Sequence, residues 1–194
     1  MKITKEIENK ITEMLAEMTV EEKIGQMQQI SLESFRPEVF ERFRKLGGGS
    51  FLLLFSDEAD EIRAEAAETR MKIPPIFGID AIHGHSLLNG AVIFPSQLAS
   101  ACSWNPALIK EMGKVTAREV NADGLDWVFS PVLCIGRDTR WGRVDETFGE
   151  DSYLVGELGA AIVEGYEEDG LVAACVKHYL GYGASEGGRD YHRT

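Results

Sequence analysis

Apolar residues recur along this chain in two rhythms, and the change between them falls near residue 50. Over residues 5–18, Ile7, Ile11, Met14, Leu15 and Met18 are at helical spacing and form one stripe. Thr19 followed by Glu22 has the form of a capping box and predicts a second helix through Ile24, Met27 and Ile30. Pro37 opens a third, with Val39, Phe40, Phe43 and Leu46 on its apolar face, stopped at Gly47, Gly48 and Gly49. All of these stripes read as core surface. From Ser50 onward, short continuous apolar runs alternate with amphipathic helices. The runs are Phe51–Phe55, Pro75–Asp80, Trp127–Pro131 and Leu171–Tyr179. The helices cover about Asp57–Met71, Asn105–Ala122 and Asp151–Glu168. Such alternation predicts βα units and a parallel sheet, here of four strands. Residues 1–49 then form a helical layer that precedes the βα units of residues 50–194.

Length and charge narrow the picture. With 194 residues the chain can bury one sizeable core. A complete (β/α)8 barrel takes about 250 residues, and an open doubly wound sheet can be smaller. No G-x-G-x-x-G follows the first strand, so a dinucleotide-binding fold has little support. The 32 acidic residues outweigh 20 lysines and arginines for a net charge of −12, which disfavours nucleic acid and anionic membrane surfaces as partners. Cys102, Cys134 and Cys175 lack C-x-x-C spacing and read as buried free thiols. The first residues, M-K-I-T-K-E-I-E-N-K, lack the apolar segment of a signal peptide, and no run approaches membrane-spanning length. That fits a cytoplasmic protein, although an exported protein trimmed of its leader would look the same.

Four places could carry chemistry. Ser130–Asp151 is a long connection without apolar periodicity, in which Arg137, Arg140 and Arg143 alternate with Asp138, Asp145, Glu146, Glu150 and Asp151. It is either a solvated loop or a lattice of arginine–carboxylate pairs that turns one guanidinium toward an oxygen-rich ligand. Asp80 ends the second strand in G-I-D-A-I-H-G-H, where a carboxylate needs partners if buried, and is either a loop cap or a hydroxyl acceptor. Lys177 and His178 end the fourth strand. Neighbours on a regular strand face opposite ways, so for both to reach one ligand the backbone must be irregular, with a non-proline cis bond as one route. His83 and His85 form an H-x-H that could begin a zinc site. The plainer reading packs His83 under the loop and leaves His85 exposed.

The stretch R-D-T-R-W-G-R-V-D-E-T-F-G-E-D, residues 137–151, resembles the R-D-P-R-W-G-R-x-x-E signature of glycoside hydrolase family 3, with Thr139 where proline is usual. M-T-V-E-E-K-I-G-Q-M at residues 18–27, G-I-D-A-I-H-G around Asp80, V-K-H-Y at 176–179 and G-A-S-E-G-G-R-D-Y-H at 183–192 resemble further phrases of the same family. His192 stands where asparagine is usual and reads as a surface residue, not as an acid/base. The resemblance implies an α/β fold that is the N-terminal half of a TIM (β/α)8 barrel, with no metal and no cofactor. It implies that Asp80, Arg143, Lys177 and His178 hold the glycosyl unit of a β-glucoside or β-glucan oligosaccharide. Retaining hydrolysis also needs a nucleophile and an acid/base, which the family places on a later barrel strand and a second domain. Neither phrase occurs in residues 1–194, so no catalytic residue is expected here. The expected partners are the missing half of the barrel and the second domain, or a second copy of the chain. The alternatives are a non-catalytic carbohydrate-binding or assembly module and, on the H-x-H pair, a metal-dependent amidohydrolase-like barrel. Four strands without their closing neighbours would also leave the inward faces of Phe51–Phe55, Ile76–Ile79, Trp127–Phe129 and Val172–Val176 uncovered.

Overall fold

The computed structural model describes residues 3–31, 37–52 and 56–194, and the chain divides after Ile79 into two compact units. The first contains α1 (Lys5–Glu17), α2 (Val20–Gln26), β1 (Gln29–Ser31), α3 (Pro37–Leu46), β2 (Ser50–Leu52), α4 (Ser56–Glu68) and β3 (Ile76–Ile79). The second contains α5 (Gln97–Ala101), α6 (Pro106–Ala122), β4 (Trp127–Val128), α7 (Ser152–Glu167) and β5 (Ala173–Ala174). Leu53–Phe55, the end of the predicted first run, lie outside the described residues.

In the first unit the capping box forms as its residues dictate. The Glu22 amide donates to the Thr19 hydroxyl at 3.2 Å, and the Thr19 amide donates to the Glu22 carboxylate at 2.8 Å. Beyond Gln26 the reading of a continuing helix is corrected, because residues 29–31 form a strand parallel to β2, with Gln29 opposite Ser50 and Ser31 opposite Leu52. The cause is the glycine run, which serves as more than a helix stop. A Cβ on Gly49 would lie 1.8 Å from the Gln26 carbonyl oxygen, so glycine lets the start of β2 pass directly under the end of α2. The Ser50 amide then donates to the Gln28 carbonyl at 3.2 Å, and the ladder takes the backbone groups that a longer helix would have used. Five strands are therefore present among the described residues, not four. β3 adds in parallel to β2, Phe51 opposite Phe77. Phe43 of α3 meets Phe51 edge-on at 5.2 Å, and Phe51 stacks on Phe77 at 5.9 Å, the core of this unit. The stripe over residues 5–18 is borne out only in part: Met18 is buried and Ile7 and Met14 are half-buried, while Ile11 and Leu15 are about half exposed.

In the second unit β4 and β5 pair in parallel, Trp127 opposite Ala173. Asn105 and Asp151 cap α6 and α7 with their side-chain oxygens, at 3.2 Å from the Leu108 amide and 2.8 Å from the Leu154 amide. The two helices approach to backbone contact where Gly165 sits, since a Cβ there would lie 2.2 Å from the Lys110 carbonyl oxygen. Buried Tyr166 of α7 shares a 2.8 Å hydrogen bond with the Ser130 hydroxyl, and burial pushes its phenol pKa up. α5 was not foreseen; it lies within the long connection after β3. Cys102, at its C-terminal end, is exposed, a correction to the reading of three buried thiols. The strand faces expected to lie uncovered are mostly covered: Phe51, Phe77, Ile79 and Val128 are buried, and Ile76 and Val176 are exposed.

Candidate functional site

The site is built in the second unit from three loops. Asp80 directly follows β3 and is half exposed. The segment after it is pinned through His85, which is fully buried and shares a 2.8 Å hydrogen bond between Nε2 and the Asp123 carboxylate at the end of α6. This corrects the expectation of an exposed His85: the ring is buried because a buried carboxylate is there to receive it. His83 is half-buried. Among the described residues no group of three His, Cys, Asp or Glu side chains is placed to hold a metal ion.

The stretch 130–151 is not a solvated loop. Trp141 and Phe148 are each 1% exposed, and Val132 and Thr147 are fully buried. Val132 and Lys177 form an isolated parallel bridge, and the Leu133 amide donates to the Lys177 carbonyl at 2.8 Å. Its charges pair locally. Arg140 forks onto Asp138 at 3.0 and 2.8 Å, which holds that carboxyl at about 2. Arg143 forks onto Glu146, Nε and Nη2 each donating at 2.7 Å, which raises the guanidinium pKa and leaves both N–H bonds of Nη1 uncommitted to that carboxylate.

Lys177 extends its ammonium to Asp80, donating at 2.8 Å to Oδ1, with 14% of the lysine side chain exposed. The Lys177–His178 peptide is cis, at the position where regular alternation would part the two side chains. His178 is half-buried; its ring lies edge-on to Tyr182 at 4.9 Å. Burial, then the charges of Arg143 and Lys177, push the imidazole pKa below its ordinary value, against the opposing pull of Glu146 and Asp80. The net effect favours the uncharged ring. Arg143 also lies over the Tyr182 ring, 5.4 Å from its centroid, and Trp141 meets the same ring edge-on at 5.4 Å. The structure thus brings Lys177 against Asp80, and places His178 within the electrostatic reach of Arg143, Lys177 and Asp80.

Cys134, Tyr182 and Asp190 were missed by sequence reasoning as parts of the site. Tyr182 donates its hydroxyl to the Asp190 carboxylate and touches His178, Trp141 and Arg143. Its only sequence signal was an aromatic placed four positions after a candidate ligand, in H-Y-L-G-Y-G. Lys177 pairs with Asp80 and Arg143 with Glu146, while Asp190 takes the Tyr182 hydroxyl. Such a set of fixed donors and acceptors, its cations each paired to a carboxylate, suits a molecule rich in hydroxyl groups.

The chain pairs its strands in parallel and carries this polar cluster in the loops of its second unit. It belongs to glycosyl hydrolase family 3: the model of that family's N terminal domain matches residues 19–194. The chain is 35% identical over 191 residues to the periplasmic beta-glucosidase of Salmonella typhimurium, covering 94% of this chain and 24% of that protein. It is 31% identical over 189 residues to a beta-xylosidase of Formosa agariphila, covering 91% and 21%. Among solved structures, a beta-glucosidase involved in saponin metabolism from intestinal bacteria is 44% identical with a TM-score of 0.82, over 94% of this chain and 25% of that one. The exo-1,3/1,4-beta-glucanase of a Pseudoalteromonas species is 33% identical with a TM-score of 0.87, over 98% and 27%. A mutant beta-glucosidase of Listeria innocua in complex with laminaribiose is 34% identical with a TM-score of 0.84, over 98% and 28%. The chain spans about a quarter of the length of these relatives. No helix among the described residues is long and apolar enough to cross a membrane.

Proposed function

We propose that the chain supplies the sugar-holding half of the site of a β-glucosidase or exo-β-glucanase that releases a β-linked glucosyl unit, or a related sugar, with retention. The observation that carries this reading is the Lys177–Asp80 pair at 2.8 Å, with His178 next in the chain and Arg143 clamped by Glu146. Asp80 retains lone pairs for sugar hydroxyls, because its carboxylate spends one contact on lysine and is half exposed. Lys177, His178 and the Nη1 of Arg143, which Glu146 does not engage, donate. Each hydroxyl, at once donor and acceptor, finds its complement. The nucleophile and the acid/base are supplied from outside residues 1–194, so these residues alone bind sugar without cleaving the bond. The relatives named beta-glucosidase support the sugar class, and the relative named beta-xylosidase supports a pocket of the same kind for pentosides.

The test is calorimetric titration of glucose into the chain and its Asp80→Ala and Arg143→Ala variants, beside an assay with an aryl β-glucoside. Binding is expected in the parent and loss in both variants, with no hydrolysis above background. Equal binding by all of them would overturn the assignment of the site. Turnover near about 1 s⁻¹, ordinary for a working enzyme, would overturn the claim that the bond-breaking groups lie elsewhere.

A further inference from the structure

We propose that Cys134 is a positioning residue that fixes the tautomer of His178: its thiol donates to Nδ1, so that Nε2 carries the ring proton and is the N–H offered to a ligand hydroxyl. The inference rests on the sugar-holding reading of the site for its consequence, though not for its geometry.

Cys134 is 7% exposed and packs with Val132 and Trp141, with Tyr182 against the same cluster. Its own carbonyl accepts from the buried Thr147 hydroxyl. Its sulfur meets His178 twice. The His178 backbone amide donates to Sγ at 3.4 Å, and Nδ1 of the ring lies 3.5 Å from the same atom. The thiol has one proton, and two acceptors are within reach: Nδ1 at 3.5 Å and the Lys177 carbonyl at 3.9 Å.

The two tautomers distribute these groups differently. With the ring proton on Nδ1, sulfur would have to accept two N–H donors, the amide and the ring. Sulfur is a weak acceptor, and its own proton would be left with the longer contact to the carbonyl. With the ring proton on Nε2, sulfur accepts only from the amide, its S–H points to the nearer acceptor, and the ring lone pair at Nδ1 is satisfied. The amide, the thiol proton and Nδ1 are then each used once. Among the described residues Nε2 has no hydrogen-bond partner, which leaves its N–H for a ligand. Which nitrogen carries the proton is set by the bond made at the other, and here that bond is to a cysteine. For a sugar this choice decides the role of His178, a donor rather than an acceptor, and so complements the acceptor Asp80.

The experiment reads the tautomer directly, without sugar. Histidine is labelled with ¹⁵N in the longest polypeptide that carries this sequence, and the long-range proton–nitrogen correlations of the ring are recorded at about pH 7.5. That pH lies above the ordinary histidine pKa and below that of a thiol. The His178 ring is assigned by its disappearance in His178→Gln. The expected pattern has protonated Nε2 and bare Nδ1. A protonated Nδ1 in the parent protein would overturn the proposal by itself, with no variant needed. Cys134→Ser keeps a donor and is expected to keep the pattern. Cys134→Ala is expected to give a mixture of tautomers and to weaken glucose binding about fivefold, the scale of one oriented hydrogen bond. An unchanged pattern in Cys134→Ala would also overturn it. If the tautomer behaves as expected while glucose binds to no form of the protein, the positioning role stands and the sugar reading falls. If glucose binds and is lost in Asp80→Ala while the ring proton sits on Nδ1, the reverse holds.

Discussion

A guanidinium fixed by a carboxylate three residues away is a directional device, and Arg143 shows what that direction requires. Two of its nitrogens are committed to Glu146 at 2.7 Å each. A lysine in its place could reach Glu146 or a ligand with a point charge, but it could not hold both at fixed angles. In the full enzyme that carries this sequence, Arg143→Lys is expected to lower kcat/KM for an aryl β-glucoside by at least about tenfold, roughly the worth of one charge-assisted hydrogen bond. Kinetics within about twofold of the parent would show that the fork is not used. Glu22 illustrates a different use of the same chemistry. Arg70 donates to both of its oxygens and the Thr19 amide to one, so its pKa falls from 4.5 to about 2. A carboxyl lowered on folding stabilises the protein fully above its unfolded value, and that stabilisation is lost as pH falls through the folded one. Thermal stability is therefore expected to decline between pH 4.5 and about 2, and Glu22→Gln is expected to flatten that decline; parallel curves for the two proteins would refute it. At this scale the motif phrases named Asp80, Arg143, Lys177 and His178 as candidates, and the structure brings Lys177 against Asp80. Cys134 was not, since nothing in S-P-V-L-C-I-G distinguishes a core thiol from one that meets an imidazole across 44 residues.

Among the elements, helices were read from the chain more faithfully than strands. Each cap that local chemistry specifies, at Thr19, Asn105 and Asp151, is present where the sequence puts it. The strands are two to four residues long in the ladder, too short for a pattern to declare itself, and β1 sat inside a stripe that also fits a helix. What decided β1 was a partner 21 residues further on, across the Gly47–Gly49 turn, and no local window contains it. The α6–α7 contact was equally invisible, because it depends on a hydrogen atom where a methyl would sit. Gly165→Ala is expected to destabilise the protein by about 1–3 kcal/mol, the usual cost of forcing a methyl into filled space. Gly156→Ala, in the same helix with open space around its Cβ position, is expected to be neutral or mildly stabilising. Chemical denaturation of the pair reads the difference, and equal midpoints would show that the helices can move apart at no cost.

At the scale of the whole molecule, the first and last strands matter most. β1 and β5 each have a ladder partner on one side only, among the described residues, and Ile76 and Val176 remain 47% and 57% exposed. Unpaired edges invite pairing. We expect the 21.5 kDa chain to associate, with a second copy or with a separately expressed remainder of the protein. Light scattering at low micromolar concentration checks this, and a monodisperse monomer with a sharp cooperative melt would refute it. The distance in sequence between Asp80 and Lys177 has another consequence. The two residues that form the heart of the site are 97 positions apart. Their ion pair closes a loop that contains α5, α6, β4 and α7, so the closure entropy of that whole stretch is spent when the pair forms. On the proposed reading, a sugar held by the pair would bind only chains in which residues 80–177 are already closed into place. At a hundredfold excess over Kd it would deepen the native well by about 2.7 kcal/mol, and so act on the nascent protein as a selector for chains in which this stretch is closed.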